Sequence, residues 1–214
     1  VPEGFIAARQ AARSGARVIL ADDGLESGGS LLSQHLKIDG KEAIEWVRET
    51  TASLDAMDNV TRLTEATVWA YREHNLLVIT ERSPATPNVF QRSWRVRAKH
   101  VLIATGAIER NLVFANNDRP GVMMASAIQS YVNRYAAKPG KRAVLFANNS
   151  SIYAVARDLR AAGVELVAVI DSRNSVNDLP EDIQDIQVFR NFVVEQCHGT
   201  KRLRAITIKN AAMG

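Results

Sequence analysis

Apolar residues recur at helical spacing from the start of the chain. Phe5, Ile6, Ala8, Ala11 and Ala12 mark a helix over residues 4–14, and Gly15 supplies its stop signal. Residues 17–21 then form a short apolar run rich in β-branched side chains, which reads as a buried parallel strand. That run ends on Asp22 and Asp23 and is followed by Gly28 and Gly29. A helix feeding a buried strand that ends in an acid is the second half of a βαβ dinucleotide unit. The strand and the first two glycines of the G-x-G-x-x-G turn have no counterpart before Gly4, which fits the third glycine. The chain therefore reads as a fragment whose first strand is missing.

The period then changes several times. Residues 41–57 predict an amphipathic helix with Ile44, Val47 and Leu54 inward, and residues 59–71 and 75–81 predict strands. Residues 83–88 read as a loop, and residues 95–103 as a strand that becomes buried and runs into Ala104, Thr105 and Gly106. A linker with a Pro-Gly turn signal spans 116–121, and a helix spans 123–136. After that the first pattern restarts, with a buried strand at 141–146, a helix at 152–162 stopped by Gly163, and a strand at 165–171 ending in an acid. Two further strands are expected at 186–195 and 203–209. This duplication predicts an α/β protein of tandem Rossmann-like domains, of the glutathione-reductase-type FAD/NAD(P)-binding class. The first domain would cover 1–115, truncated at its N-terminus. The second would cover 116–214, truncated at its C-terminus and degenerate as a nucleotide site.

Composition narrows the chemistry. The chain has 214 residues, a net charge of +4 and one cysteine. Cys197 alone forms neither an internal disulfide nor a redox pair, and His35, His74, His100 and His198 lack the spacing of metal ligands. The short basic stretches near residues 138–142 and 201–204 are interleaved with apolar positions and read as solvated faces rather than a nucleic-acid surface. With no apolar run of membrane-spanning length and no signal-like start, the reading is a cytoplasmic chain without a membrane partner.

Four places carry candidate chemistry. Asp22, with Asp23 as its alternate, stands where such folds accept hydrogen bonds from the ribose hydroxyls of an adenosine, and a carboxylate there repels the extra phosphate of NADP. The plainer reading is an exposed acid that ends a strand. Gly29 and Ser30 suit a tight turn passing close to phosphate, or simply a turn. Ala104, Thr105 and Gly106 are small residues that leave room for a cofactor above a strand end. The corresponding turn of the second unit, residues 147–151, has Asn148 and Asn149 where glycines would cradle a pyrophosphate, so that unit reads as scaffold and Asp171 as a strand-terminal acid. No catalytic constellation is evident, which leaves any chemistry to a cofactor.

The segments ARSGARVILADDGLESGGSLL, WAYREHN and the stretch from VLIATGAIERNLVFANNDRPGVMM through FANNSS to VIDSR resemble the alpha-subunit family of heterotetrameric sarcosine oxidase, in order along nearly the whole chain. Subunits of opine-type dehydrogenases are more distant in these motifs. The resemblance implies an oxidoreductase complex that oxidatively demethylates sarcosine to glycine, peroxide and a one-carbon unit. It implies NAD held in this module without redox turnover, with FAD as the alternative occupant, and FAD and FMN in a partner beta subunit. It also implies smaller partner subunits and tetrahydrofolate on a further C-terminal domain. Carried over by motif, Gly4, Asp22, Gly29, Ser30, Thr105 and Gly106 become dinucleotide contacts, and Val68 a backbone contact to adenine. Two other readings stand beside it: an FAD-binding subunit of another amine or opine dehydrogenase, and a non-catalytic scaffold subunit.

Overall fold

A computed structural model describes residues 2–82, 84, 86–174 and 181–213. Ser83, at the start of the expected loop, and Ala85 lie outside the described residues, as do 175–180. The chain divides into two compact units, Val1–Ala107 and Ile108–Gly214. The division expected at 115/116 falls within the second of them.

In the first unit the elements run α1 (Pro2–Arg13), β1 (Val18–Ala21), the two-residue strands β2 (Lys37–Ile38) and β3 (Lys41–Glu42), α2 (Ala43–Asp55), β4 (Val60–Leu63), β5 (Ala66–Arg72), β6 (Leu76–Arg82) and β7 (Gln91–Arg97). Phe5, Ala8 and Ala12 form the buried stripe of α1, three and four residues apart, as one helix face requires. Phe5 meets Trp46 of α2 edge-to-face at 6.0 Å, and Leu31, Val47 and Leu54 complete that core. Gly15 adopts φ 86°, reversing the chain into β1. The Asn59 side-chain amide fixes this corner by donating to the carbonyls of Ala12 and Ala16, each at 2.8 Å. One of these is a helix-end carbonyl, which lacks an intrahelical partner.

β1 lies parallel to β4, Val18 opposite Val60 and Ala21 opposite Leu63. The strand expected over 59–71 is in fact two strands in two sheets. β4 belongs with β1, whereas β5 pairs antiparallel with β6, which pairs antiparallel with β7. The break falls at Glu65, at φ 49°, whose N–H donates to the carbonyl of Gly24 while that of Ala66 donates to Asp22.

The strand expected over 95–103 ends early. β7 stops at Arg97, and the N–H of Ala98 closes the hairpin on the Asn75 carbonyl at 3.1 Å. Residues 101–103 are not a buried strand: Leu102 is 66% and Ile103 69% exposed. A parallel strand is buried only when neighbours flank it, and among the described residues no strand pairs with this segment.

The second unit contains α3 (Ala125–Gln129), which continues as a π-helical turn over Ser130–Arg134, then β8 (Arg142–Ala147), α4 (Ile152–Ala161), β9 (Glu165–Asp171), β10 (Val188–Arg190), β11 (Phe192–His198) and β12 (Ala205–Asn210). β8, β9 and β10 form a parallel sheet in the order β10-β9-β8. Its core joins Leu145 and Val169 of the sheet to Ile152, Val155, Ala156 and Leu159 of α4. Each fully buried aliphatic side chain of this kind contributes about 1.5–3 kcal/mol. The strand expected over 186–195 divides at Asn191, φ 59°: β10 stays beside β9, while β11 turns away to pair antiparallel with β12. Among the described residues, no helix is long and apolar enough to cross a membrane.

Candidate functional site

The C-terminal end of β1 is where the sequence places its chemistry. Asp22 is half-buried there, its backbone N–H donating to Leu63 at 2.9 Å. Among the described residues its carboxylate accepts one hydrogen bond, from the N–H of Gly24 at 2.9 Å. A carboxylate has room for about four, so most of its acceptor capacity is left uncommitted. Asp23 is exposed. Gly24 is tightly surrounded: a Cβ at that position would lie 3.2 Å from Asp22 Oδ1 and 3.0 Å from the carbonyl of Glu26.

The turn that follows is built against α2. Gly28 has φ 141°, and a Cβ on it would come within 2.8 Å of Leu32 and 3.1 Å of Val47. Gly29 follows at φ 50° and opens a short 3-10 turn with Ser30, both exposed. Arg62, on β4, supplies the fixed positive charge. Its guanidinium grips Asp55 through two bonds of 2.8 Å, Nε to Oδ1 and Nη2 to Oδ2, and reaches Ser27 Oγ at 3.5 Å. The Asp55 bond, and more weakly the charge of Asp22, raise the guanidinium pKa further. Reading the sequence alone singled out neither Arg62 nor Ser27.

Gly4 and Ala104 are brought together: a Cβ on Gly4 would lie 3.3 Å from that of Ala104. The first turn of α1 and the small-residue segment therefore pack as closely as a glycine permits. Thr105 and Gly106 next to it are exposed, Gly106 at φ 70°. Val68 sits on β5, the edge strand of its sheet, opposite Ile79 and beside a bulge, 43% exposed.

The equivalent end of the second unit is chemically closed. Asp171, at the end of β9, is fully buried. Its carboxylate accepts from the Tyr153 hydroxyl (3.0 Å), from the Arg173 backbone N–H (3.0 Å), and from Arg173 Nε (3.0 Å) and Nη2 (2.7 Å). Burial pushes the carboxyl pKa up, but the Arg173 and Tyr153 bonds outweigh it and hold it below the usual range. The same burial, reinforced by the bond to Asp171, raises the Tyr153 hydroxyl. Asp171 is thus more than a strand-terminal acid, because its acceptor positions are consumed inside the protein. At the turn, Asn149 Oδ1 accepts from the N–H of Ser151 at 3.0 Å and from its hydroxyl at 2.5 Å. The Asp-x-Arg spacing of 171–173 was the one sequence signal for this network.

Two parallel strand–helix–strand layers with acids at their strand ends define the class: a tandem Rossmann-like α/β fold. The crystal structure of thioredoxin reductase from Lactococcus lactis shares this fold, with a TM-score of 0.74 at 17% identity over 100% of this chain and 69% of that one. No family model matches the chain. Its sequence is similar to that of the alpha subunit of sarcosine oxidase, at 46% identity over 178 residues with the Rhizobium meliloti (strain 1021) protein, covering 80% of this chain and 18% of that one. With the Corynebacterium sp. (strain P-1) protein it is 43% identical over 184 residues, 82% and 19% of the two chains. An opine oxidase subunit from Agrobacterium tumefaciens (strain Ach5) is more distant, 28% identical over 179 residues, 81% and 36%. The resemblance read from the sequence therefore holds over most of the chain, which spans about a fifth of the length of the sarcosine oxidase subunits it matches.

Proposed function

We propose that the first unit grips the adenosine end of NAD, within an alpha-type subunit of a hetero-oligomeric oxidase that demethylates sarcosine to glycine, peroxide and a one-carbon unit. The observation that carries the nucleotide reading is the contrast between two acids at equivalent strand ends. Asp171 is saturated by Tyr153 and Arg173, whereas Asp22 keeps most of its acceptor capacity unspent beside a glycine turn. Ribose hydroxyls are donors suited to such a carboxylate. Gly29 and Ser30 would approach the phosphates, and Gly4, Ala104, Thr105 and Gly106 would leave space for the remainder of the dinucleotide. Val68 would present backbone to the adenine. The NAD would be held without redox turnover; the side chains named here would bind and orient it, and none of them breaks a bond of sarcosine. The substrate and the partner subunits rest on the relatives: proteins 46% and 43% identical to this chain over the matched residues are named as alpha subunits of sarcosine oxidase.

The test uses the full-length subunit. Denaturing the purified protein releases its nucleotide for chromatography, and the wild type yields stoichiometric NAD. Asp22→Ala removes a charge-assisted hydrogen-bond acceptor, which lowers retained NAD about tenfold or more. Equal retention by the two proteins, or FAD as the released nucleotide, sinks the NAD assignment; no nucleotide at all leaves the scaffold reading. Peroxide formation from sarcosine by the assembled complex tests the activity separately.

A further inference from the structure

One face of the β5-β6-β7 sheet is turned away from the core and carries a single sign of charge. Opposed residues of an antiparallel ladder share a face, and the register Arg72↔Leu76↔Arg97, Val78↔Arg95, Thr80↔Ser93 and Arg82↔Gln91 places all four arginines on this one. All four are exposed. Trp69, 59% exposed, joins them, because its indole N–H donates to Thr80 Oγ1 at 3.0 Å. Among the described residues of β5, β6 and β7, no Asp or Glu occupies a position on this face; Glu65, just before β5, meets it only through its carbonyl, which accepts from the Arg82 N–H at 2.9 Å. Glu81 lies on the other side, where it accepts from Trp94 Nε1 at 2.8 Å and pairs with Arg92, and Glu73 lies on the turn between β5 and β6. Arg97 and Arg82 each make a long bond to a carbonyl, at 3.4 Å to His74 and to Asp23. Neither Arg72 nor Arg95 has a hydrogen bond or an ion pair among the described residues.

We propose that this face docks a carboxylate-rich surface of a protein partner, with Arg72 and Arg95 forming forked pairs to its acids around Trp69. The proposal rests on the hetero-oligomeric reading above and adds the surface through which this chain engages its neighbour in the complex. Three arguments favour it. Four arginines with no acid among them complement negative charge, and a guanidinium fork matches a carboxylate in two parallel bonds. Arg and Trp are the residue types that concentrate binding energy at protein interfaces. A single-stranded nucleic acid would need two or three stacking rings, and Trp69 is the one aromatic at a position on this face. Three strands of this length present roughly 300 Å², short of the ~800 Å² per partner of a standard interface, so the face would be the charged centre of a larger contact.

The experiment uses the full-length chain co-expressed with its co-encoded subunits. Arg72→Glu with Arg95→Glu is expected to weaken association about a hundredfold, read by analytical ultracentrifugation. Arg72→Gln with Arg95→Gln falls between this and the wild type, which keeps the test decisive if the charge reversal misfolds. Both proteins keep their NAD content, so a failure here is distinct from failure of the nucleotide site, where Asp22→Ala empties NAD and leaves assembly intact. Association within about twofold of wild type overturns the proposal. So does arginine-dependent binding to phosphatidylserine vesicles or to a single-stranded oligonucleotide while assembly of the complex is unchanged.

Discussion

The Tyr153 hydroxyl donates to Asp171 Oδ2 at 3.0 Å, tying the first turn of α4 to the end of β9 with both residues buried. Together with Arg173 it converts a strand-end carboxylate into an internal hub. Tyr153→Phe removes one donor to a charged acceptor and costs about 1.5–3 kcal/mol in urea unfolding. The pH dependence has a definite sign. Because the folded-state pKa of Asp171 is lowered, its contribution is fully present above the unfolded carboxylate value near 4 and is lost as the pH falls through the folded value. Stability measured from pH 7 to pH 3 falls more steeply for the wild type than for Asp171→Asn, which has no such proton to take up. Parallel curves for the two would show that the carboxylate contributes no pH-dependent stability.

This hub also shows where sequence reading stops. The strand–helix–strand order of β8, α4 and β9 was legible because apolar runs at 141–146 and 165–171 flank a helical stripe that Gly163 ends. The identity of Asp171's partners was not, since Tyr153 reads as one more large residue on that stripe. Residues 101–103 failed in the opposite way. Their apolarity declares that they favour neighbours, but period alone does not say whether a strand lies alongside, and among the described residues none pairs with them. Glu65 and Asn191 are polar residues able to end a strand, yet each sits in a pattern that reads continuously through it. Both positive-φ breaks came from the change of sheet, a tertiary event. In the first unit the positions of Asp22, Gly28 and Gly29 were visible, while Arg62 was hidden because its partners, Asp55 and Ser27, are joined to it only by folding.

Gly28 gives a prediction on the turn itself. A methyl group there meets Leu32 Cδ2 at 2.8 Å, on a backbone at φ 141° that L residues rarely adopt. Two penalties therefore coincide, contact and conformation, and Gly28→Ala costs about 2–4 kcal/mol by chemical denaturation. Gly40, at φ 79° with open space around its Cβ position, is the control: Gly40→Ala bears the conformational penalty alone, about 1–2 kcal/mol. Equal losses at the two sites would mean that Leu32 moves aside freely and that the turn is not braced against α2.

The second unit supplies a test of what a dinucleotide site needs. Asn148 and Asn149 stand where backbone would have to approach phosphate, and glycine at both positions clears that approach. The replacement leaves Asp171 untouched, with its oxygens still committed to Tyr153 and to three N–H groups of Arg173. A ribose would have to displace those donors from a buried carboxylate, leaving the Tyr153 hydroxyl and the Arg173 backbone N–H without their acceptor, a loss greater than two hydroxyl bonds return. Titration of the full-length protein with NADH, followed by calorimetry, therefore finds no additional equivalent in Asn148→Gly with Asn149→Gly. Adding Arg173→Ser opens the carboxylate and yields a weak second site in the millimolar range, about 4 kcal/mol of binding. A second equivalent in the double glycine variant would place the barrier in the turn alone and leave the internal pairing of Asp171 without consequence for nucleotide binding.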